Sequence, residues 1–202
     1  MDLQLKDKVA IVTGGSRGLG RAISLGLAAE GAKVVVNYRQ DDQKAQSLID
    51  EITTTYGTEA ATVRADVSNE VDVCRLFHYA EQTFSRVDVL VNNAGVWPTA
   101  YVKEMTRQQW DQTLAVNLTG PFLTSREAVR RWTATGRKGR IVNVSSQAAF
   151  RGSTTGHADY ASSKAGLVTF TISLAREVAP LGIHVNAVAA GMMATDMARD
   201  AL

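Results

Sequence analysis

The chain has 202 residues, of which 22 are Lys or Arg and 20 are Asp or Glu, giving a net charge of +2, and 45% are hydrophobic. This length fits one domain with its own core, and the small, dispersed charge excludes the basic surface typical of nucleic-acid-binding proteins. The sequence has one cysteine and no apolar run approaching the roughly 18 residues of a membrane span, so we expect a cytoplasmic protein without disulfides.

The first half of the chain alternates short apolar runs with amphipathic runs. Strands are predicted at residues 8–13, 32–37, 59–64 and 87–91, and helices at residues 18–30, 41–56 and, capped by Ser68, up to residue 85. Fully apolar strands such as Val34-Val35-Val36 are typical of parallel sheets with helices on both faces. The alternation therefore predicts an α/β fold with a doubly wound parallel sheet, which binds its ligand where the strand order reverses.

The second half continues the same alternation. A long helix is predicted over about residues 106–135, a strand at 139–145, a loop at 147–156, a helix of little polar face at 159–179 and a strand at 183–188. Since no linker or low-complexity tract interrupts the pattern, we expect residues 1–202 to form a single domain.

A glycine-rich turn lies between the first strand and the first helix. It reads Thr-Gly-Gly-Ser-Arg-Gly-Leu-Gly, with Gly14, Gly18 and Gly20 at the turning points. Glycines let the backbone turn sharply and let peptide N–H groups approach a diphosphate at a helix N-terminus. The spacing differs from the commoner Gly-x-Gly-x-x-Gly pattern, and a glycine cluster alone is also compatible with a simple tight turn. The preceding strand and following helix favour a dinucleotide-binding site.

Three side chains suited to carbonyl chemistry occur in the second half. Tyr160 and Lys164 lie four residues apart on a predicted helix and therefore share a face, while Ser146 follows the fifth strand at the edge that carries the glycine turn. Without other evidence, the pair is also compatible with a surface tyrosine that packs on the aliphatic part of a lysine side chain. A fixed ammonium favours a phenolate, so we predict that Lys164 lowers the pKa of Tyr160. Tyr160 would then exchange a proton with a substrate oxygen that Ser146 polarises.

Asn117 is an amide within an apolar helical stretch, and two interpretations of it remain open. One is a buried structural amide with its hydrogen bonds satisfied. The other is a backbone or water contact that relays protons towards Lys164.

Seven segments, taken together in this order and spacing, resemble the short-chain dehydrogenase/reductase family. They are residues 13–20, Asp66-Val67, Asn92-Asn93-Ala94-Gly95, Asn117, Ser146, Tyr160-x-x-x-Lys164 and residues 191–197. The resemblance covers nearly the whole chain and implies a Rossmann fold, a nicotinamide cofactor and a catalytic tetrad. In that tetrad Tyr160 is the acid/base and Ser146 binds the substrate. Lys164 holds the ribose and tunes Tyr160, and Asn117 supports the water relay.

The resemblance also implies a set of cofactor-binding residues and no metal. These residues are Gly14, Ser16, Arg17, Gly18, Leu19, Gly20, Tyr38, Arg39, Asp66, Val67, Asn93, Ala94, Gly95, Tyr160, Lys164, Gly191, Met193 and Thr195. Within the family the chain is most similar to the bacterial 3-oxoacyl-acyl-carrier-protein reductases of fatty acid biosynthesis.

Departures from the family pattern occur at three places. Ala190-Gly191 stands where Pro-Gly is usual, and the segment between Ser146 and Tyr160 is one residue longer than in the most similar branch. Leu181 replaces a basic residue of the carrier-protein reductases, although Arg137 falls at another carrier-docking position.

The residues after the second strand indicate the cofactor. An NAD enzyme usually has Asp or Glu there to accept from the ribose 2′-hydroxyl, whereas this chain has Tyr38 and Arg39. Because Arg39 and Arg17 are both suited to a 2′-phosphate, we predict a preference for NADPH, with NAD as the alternative.

Three functions are compatible with these motifs. The first is an NADP(H)-dependent oxidoreductase that reduces a ketone, with a 3-oxoacyl thioester as the expected substrate and acyl carrier protein as a partner. The second is a sugar or other alcohol dehydrogenase of the same family, and the third is a nucleotide-binding protein without turnover. The apolar helices around Asn117 and Tyr160 predict a homodimer or homotetramer.

The C-terminal region carries a further expectation. Members of the family normally continue past residues 195–197 with a lid, another helix and a seventh strand. Ending at Leu202 would leave the sixth strand as an open sheet edge made of Val185 and Val188, so we expect a longer natural polypeptide.

Overall fold

The computed structural model describes residues 3–193, in which strands and helices alternate along the chain. The strands are β1 (Val9–Val12), β2 (Lys33–Tyr38), β3 (Ala60–Arg64), β4 (Val89–Asn92), β5 (Arg140–Ser146) and β6 (His184–Ala190). The α-helices are α1 (Gly18–Ala29), α2 (Asp42–Tyr56), α3 (Glu70–Phe84), α4 (Arg107–Leu114), α5 (Gly120–Ala134), α6 (Ala148–Arg151) and α7 (Ala158–Val178). A π-helical turn, Ala115–Thr119, joins α4 to α5, and a 3-10 turn, Ala179–Leu181, follows α7.

The strands of residues 3–193 form one sheet in the order β3-β2-β1-β4-β5-β6, and each pairing is parallel. The order reverses between β1 and β4, where the chain crosses from one half of the sheet to the other. The doubly wound α/β fold is thereby confirmed, and the switch point places a ligand crevice at the carboxyl ends of β1 and β4.

Side chains on the two sheet faces form two apolar layers. Because side chains alternate along a strand, Val9 and Ile11 of β1 face α3, α5 and α7, whereas Ala10 and Val12 face α1 and α2. Trp132 and Phe77 are among the largest side chains fully buried. Each such side chain contributes roughly 1.5–3 kcal/mol through removal of apolar area from water.

Helix α3 begins one residue later than predicted. Asn69, not Ser68, is its N-cap, with Oδ1 accepting from the backbone N–H groups of Val71 at 2.9 Å and Asp72 at 3.1 Å. Ser68 instead donates its hydroxyl to the Asp66 carboxylate at 2.6 Å. Both residue types cap helices well, so the sequence alone could not separate two adjacent candidates.

The long helix predicted at residues 106–135 is divided by the π-helical turn. The backbone N–H of Gly120 donates to the carbonyl of Ala115, five residues earlier, in place of the usual four. The segment at 147–156, predicted as a loop, contains the short helix α6. Neither the π-helical turn nor α6 has a distinct residue pattern, because each depends on its contacts with the surrounding elements.

A network of buried polar side chains, which we call the amide network, crosses the molecule beneath the crevice. It consists of Asn92 of β4, Asn143 of β5, Thr171 of α7, and Thr124 and Ser125 of α5, each at most 4% exposed. Asn92 donates to Asn143 Oδ1 at 2.8 Å and accepts from the Thr124 hydroxyl at 2.6 Å. Asn143 donates to the Thr171 hydroxyl at 2.8 Å. These hydrogen bonds link β4 and β5 to each other and to α5 and α7.

Strand β6 lies at one edge of the sheet in the described part of the chain, where its hydrogen-bonded neighbour is β5. Of its two valines, Val185 is 7% exposed and Val188 is 56% exposed. The difference arises because alternate side chains of β6 point to opposite faces, and Val185 joins the layer packed against α7. Among the described helices, none has the length and apolar character needed to cross a membrane.

Gly20 and Gly26 lie in the same helix and offer a matched test of the glycine turn. A Cβ on Gly20 would lie 2.2 Å from the Gly14 carbonyl oxygen, whereas a Cβ on Gly26 would meet nothing within 4 Å. We expect Gly20→Ala to lower the free energy of unfolding by about 1–3 kcal/mol, because the turn must shift.

Gly26→Ala should be neutral or should raise the free energy of unfolding by up to about 1 kcal/mol, since alanine favours helix. Urea unfolding of both variants measures the contrast. Equal effects of the two substitutions would show that the contact between α1 and the glycine turn is not tight.

Candidate active site

A cleft of about 870 Å³ opens at the carboxyl ends of the parallel strands. Its floor is the glycine turn after β1 and the loop after β4, and its far end is formed by β5, β6 and the first turn of α7. The predicted residues that line it are Gly14, Ser16, Arg17, Gly18, Leu19, Gly20, Tyr38, Arg39, Asp66, Val67, Asn93, Ala94, Gly95, Ser146, Tyr160, Lys164, Gly191 and Met193. Asn117 lies behind the cleft with no exposed surface, and Thr195 lies outside the described residues.

Hydrogen bonds from Thr13 tie the glycine turn to the loop after β4. Its hydroxyl donates to the Val91 carbonyl at 3.3 Å and accepts from the backbone N–H groups of Asn93 and Ala94, both at 3.0 Å. The Asn93 amide returns two bonds, to the carbonyls of Thr13 at 3.0 Å and Gly14 at 3.1 Å. Gly14 has φ +59°, a backbone conformation that side chains disfavour. The turn and the loop therefore form one rigid floor.

Two arginines stand at the end of the cleft near β2. Arg39 is exposed, with Nη1 3.6 Å from Oδ2 of Asp66. Arg17 lies near Asp41, whose pKa is lowered chiefly by the backbone N–H of Lys44 and least by Arg17. Since exposed ion pairs of this kind contribute little, both guanidinium groups are available to a phosphate in the cleft.

Lys164 lies beneath the cleft and is 4% exposed. Its Nζ donates to the carbonyl oxygen of Val144 at 2.8 Å and lies 5.7 Å from the centre of the Tyr160 ring. Burial lowers the pKa of this ammonium from 10.5 to about 8, because the charged form loses its hydration. Lys164 therefore titrates close to physiological pH.

The prediction that Lys164 lowers the pKa of Tyr160 is wrong for the groups of this chain. Burial raises the pKa of the Tyr160 phenol, and a hydrogen bond with the Ser146 hydroxyl lowers it to a smaller extent. The buried phenolate loses hydration, and the ammonium is directed at the Val144 carbonyl. Tyr160 is consequently a neutral phenol, with its proton in place, at neutral pH.

Asn117 lies in the π-helical turn and clamps the loop after β4. Its Oδ1 accepts from the backbone N–H of Val96 at 2.8 Å, and its Nδ2 donates to the Val96 carbonyl at 2.9 Å and to the Ser163 hydroxyl at 3.2 Å. Ser163 in turn donates to the carbonyl of Tyr160 at 2.7 Å. These contacts match the structural interpretation of Asn117, and a proton relay through it stays a prediction.

Sequence reasoning missed several groups that support Tyr160. Asp159 is 1% exposed and accepts from the Thr113 hydroxyl at 2.6 Å and from the backbone N–H of Tyr160 at 2.8 Å. His157 and Trp97 have rings in contact beside the phenol. The position of Asp159 and His157 just before Tyr160 was visible, but the sequence does not give their partners on α4 and on the loop after β4. Within residues 3–193, no cluster of three or more His, Cys, Asp or Glu side chains could hold a metal ion.

The fold and this cleft define a Rossmann-type α/β protein with its ligand site at the switch point of the sheet, and the comparisons assign its family. The family described as short chain dehydrogenase matches residues 8–202. The chain belongs to the short-chain dehydrogenase/reductase family and is an oxidoreductase.

Its relatives include two enzymes of the branch that the sequence indicated. The chain is 44% identical over 193 residues to a 3-oxoacyl-[acyl-carrier-protein] reductase of Synechocystis sp., covering 96% of this chain and 77% of that protein. It is 39% identical over 197 residues to the corresponding reductase of Aquifex aeolicus, covering 98% and 78%. An uncharacterized oxidoreductase of Escherichia coli, YgfF, is 44% identical over 192 residues, covering 94% and 77%.

Solved structures share the fold closely. A short-chain dehydrogenase from Burkholderia cenocepacia in complex with NADP superposes with a TM-score of 0.89 at 38% identity, over 96% of this chain and 77% of that one. A dehydrogenase/reductase from Sinorhizobium meliloti has a TM-score of 0.90 at 37% identity, over 95% and 75%.

The buried ammonium predicts a pH dependence of stability. The pKa of Lys164 is lowered from 10.5 to about 8 on folding, so between these values the unfolded chain holds a proton that the folded chain has released. The free energy of unfolding therefore rises with pH across this window, whereas below it Lys164 is protonated in both states. Lys164→Met removes the titration.

Urea unfolding at about pH 7 and about pH 10 tests this sign. The stability of the unsubstituted protein, relative to Lys164→Met, should be greater at the higher pH. A difference that is constant or that decreases would rule out the lowered pKa.

Proposed function

We propose that the chain is an NADPH-dependent reductase of a carbonyl compound, with a 3-oxoacyl thioester as its substrate. The observation that carries the proposal is the meeting of Tyr160, Ser146 and Lys164 in one cleft that continues to the two arginines near β2. A protein that only binds nucleotide has no need of a phenol, a hydroxyl and a buried ammonium at the same point.

The residues of the cleft fit a nicotinamide dinucleotide. The glycine turn opens at the N-terminus of α1, where backbone N–H groups would hold a diphosphate. Arg17 and Arg39 would hold a 2′-phosphate through charge-assisted hydrogen bonds, and Lys164 would hold the ribose. The cofactor supplies the hydride to the carbonyl carbon.

The side chains around the carbonyl have separate roles. Tyr160 keeps its proton at neutral pH because burial raises its pKa, so it can donate that proton as the substrate oxygen gains negative charge. The Ser146 hydroxyl, which hydrogen-bonds with the phenol, has one proton and would turn to donate it to the same substrate oxygen, where it would stabilise the charge. Lys164 places a positive charge beneath the phenol in its protonated form.

The relatives support the substrate class and the cofactor. Two of them are named as reductases of 3-oxoacyl groups on acyl carrier protein, and one solved relative is a complex with NADP. Arg137 is exposed at the position expected for carrier docking, whereas Leu181, which is 48% exposed, cannot attract an acidic carrier. A sugar or other alcohol dehydrogenase of the same family is the alternative activity.

Exposed aromatic and aliphatic groups on α5 and α7 support a homodimer or homotetramer. Phe122 is 41% exposed and Ile172 is 49% exposed, and the Phe122 ring contacts Phe170 edge-on at 6.2 Å. Apolar surface of this kind on two adjacent helices is typical of an interface between identical chains.

Tyr160→Phe tests the chemistry. The substitution removes the proposed proton donor but keeps the ring, so we expect kcat for reduction of acetoacetyl-N-acetylcysteamine with NADPH to fall by about 100-fold or more. NADPH affinity should stay within several-fold, as measured by fluorescence titration. Tyr79→Phe, which removes a phenol hydroxyl from α3 outside the cleft lining, is the matched control. Retention of most of kcat by Tyr160→Phe would overturn the mechanism.

Arg39→Ala tests the cofactor preference. Loss of one charge-assisted hydrogen bond to a 2′-phosphate should lower kcat/KM for NADPH about 10-fold or more and leave the value for NADH nearly unchanged. Arg64→Ala, an exposed arginine outside the cleft lining, removes the same charge without the contact. A higher kcat/KM with NADH in the unsubstituted protein would refute the NADPH assignment.

A further inference from the structure

Two loops are joined beside Tyr160 at the substrate end of the cleft. The backbone N–H of Ala100, in the loop after β4, donates to the carbonyl of Gly156 at 2.8 Å. His157 Nδ1 lies 2.9 Å from the Pro98 carbonyl oxygen. Because a carbonyl can only accept, Nδ1 carries the proton, and this bond fixes the orientation of the imidazole. The two loops therefore form one hydrogen-bonded unit.

This unit carries a row of three aromatic rings, tilted against one another, that ends at the Tyr160 phenol. The rings of Trp97 and His157 are 4.5 Å apart at an interplanar angle of 36°, and those of Trp97 and Tyr160 are 6.0 Å apart at 49°. His157 is 5% exposed, while Trp97 is half-buried and lines the cleft. The imidazole thus supports one side of the indole, and part of the indole remains in contact with solvent next to the group proposed to donate the proton.

We propose that Trp97 is a specificity residue that selects substrates with a flat apolar group, such as a phenyl ring, attached to the reacting carbonyl carbon. This inference rests on the proposed function, since it assigns the carbonyl to Tyr160. A group bonded to that carbon must lie close to the phenol, and the neighbouring indole offers it an apolar surface. A flat ring covers that surface and pairs with it, whereas a methyl group covers little of it.

His157 is the corresponding positioning residue. Its side chain contacts the Pro98 carbonyl and the indole, and its role is to hold the Trp97 ring at the angle at which the flat group of the substrate packs on it. If His157 acts through Trp97, its substitution changes substrate choice only while the indole is present. This distinguishes positioning from a general loss of stability.

The test compares two thioesters that differ only at the carbonyl carbon. The substrates are the N-acetylcysteamine thioesters of 3-oxo-3-phenylpropanoate and 3-oxobutanoate, and the readout is the ratio of their kcat/KM values with NADPH. We expect Trp97→Leu to lower the ratio about 3- to 10-fold, in line with the worth of one aromatic pair. Trp97→Phe, which keeps a smaller ring, should lower it less.

Trp110→Leu is the matched control, because Trp110 is a half-buried tryptophan on α4 outside the cleft lining. It should leave the ratio unchanged. His157→Ala should lower the ratio in the unsubstituted background and have no further effect in Trp97→Leu. Equal losses of kcat/KM for both thioesters in Trp97→Leu would overturn the specificity role, and additive effects of the two substitutions would overturn the positioning role.

A binding measurement separates this inference from the proposed function. If the unsubstituted protein reduces neither thioester, the proposed function fails, and equilibrium dialysis of acetophenone in the presence of NADP⁺ decides the inference. Affinity several-fold weaker in Trp97→Leu supports a wall for flat groups. Equal affinity, or no binding to either protein, overturns it.

Discussion

The amide network constrains how β4 and β5 pair and how α5 and α7 pack on them. A buried amide without hydrogen bonds costs free energy, and Asn92 and Asn143 meet their partners only when β4 and β5 are paired as observed. The same bonds reach α5 through Thr124 and α7 through Thr171. A slip of one residue in either strand would bury these amides among apolar groups and turn them away from each other. The network therefore specifies the register, whereas the apolar layers on both faces supply most of the stability.

The position of the reacting groups follows from that register. Helix α7 carries Tyr160 and Lys164 within its first two turns and Thr171 further along, so fixing α7 on β5 also fixes both residues relative to the sheet. Lys164 then reaches the Val144 carbonyl on β5, and Asn117 reaches the backbone of Val96 after β4. Each group contacts a backbone atom beside a rigid strand, which is the arrangement that preorganised chemistry requires.

Much of the fold could be predicted because parallel strands that are buried on both faces occur in the sequence as short, continuous apolar runs. The run Val34-Val35-Val36 and the glycine turn both lie where the pattern put them. The N-cap of α3 could not be predicted, because Ser68 and Asn69 are adjacent and both are good capping residues, and the structure uses Asn69. The pKa of Tyr160 also escaped prediction, because the separation of Tyr160 and Lys164 along a helix gives their shared face but not their burial or the direction of the ammonium. The ring contact between His157 and Trp97 joins residues 60 positions apart, and no local sequence pattern predicts such a contact.

The π-helical turn, Ala115–Thr119, has a consequence for how the gene can change. Such a turn is equivalent to one extra residue in an otherwise continuous helix, so removing one residue would leave an ordinary α-helical turn in its place. Thr113, before the turn, donates to Asp159, while Trp132, after it, lies in the apolar layer, and an α-helix shorter by this one residue would keep both orientations. In-frame loss of a single codon here would therefore disturb the packing of α4 and α5 less than the same loss within either helix, where each residue accounts for about 100° of rotation. The group that such a loss would displace is Asn117, which lies in the turn and holds the loop after β4.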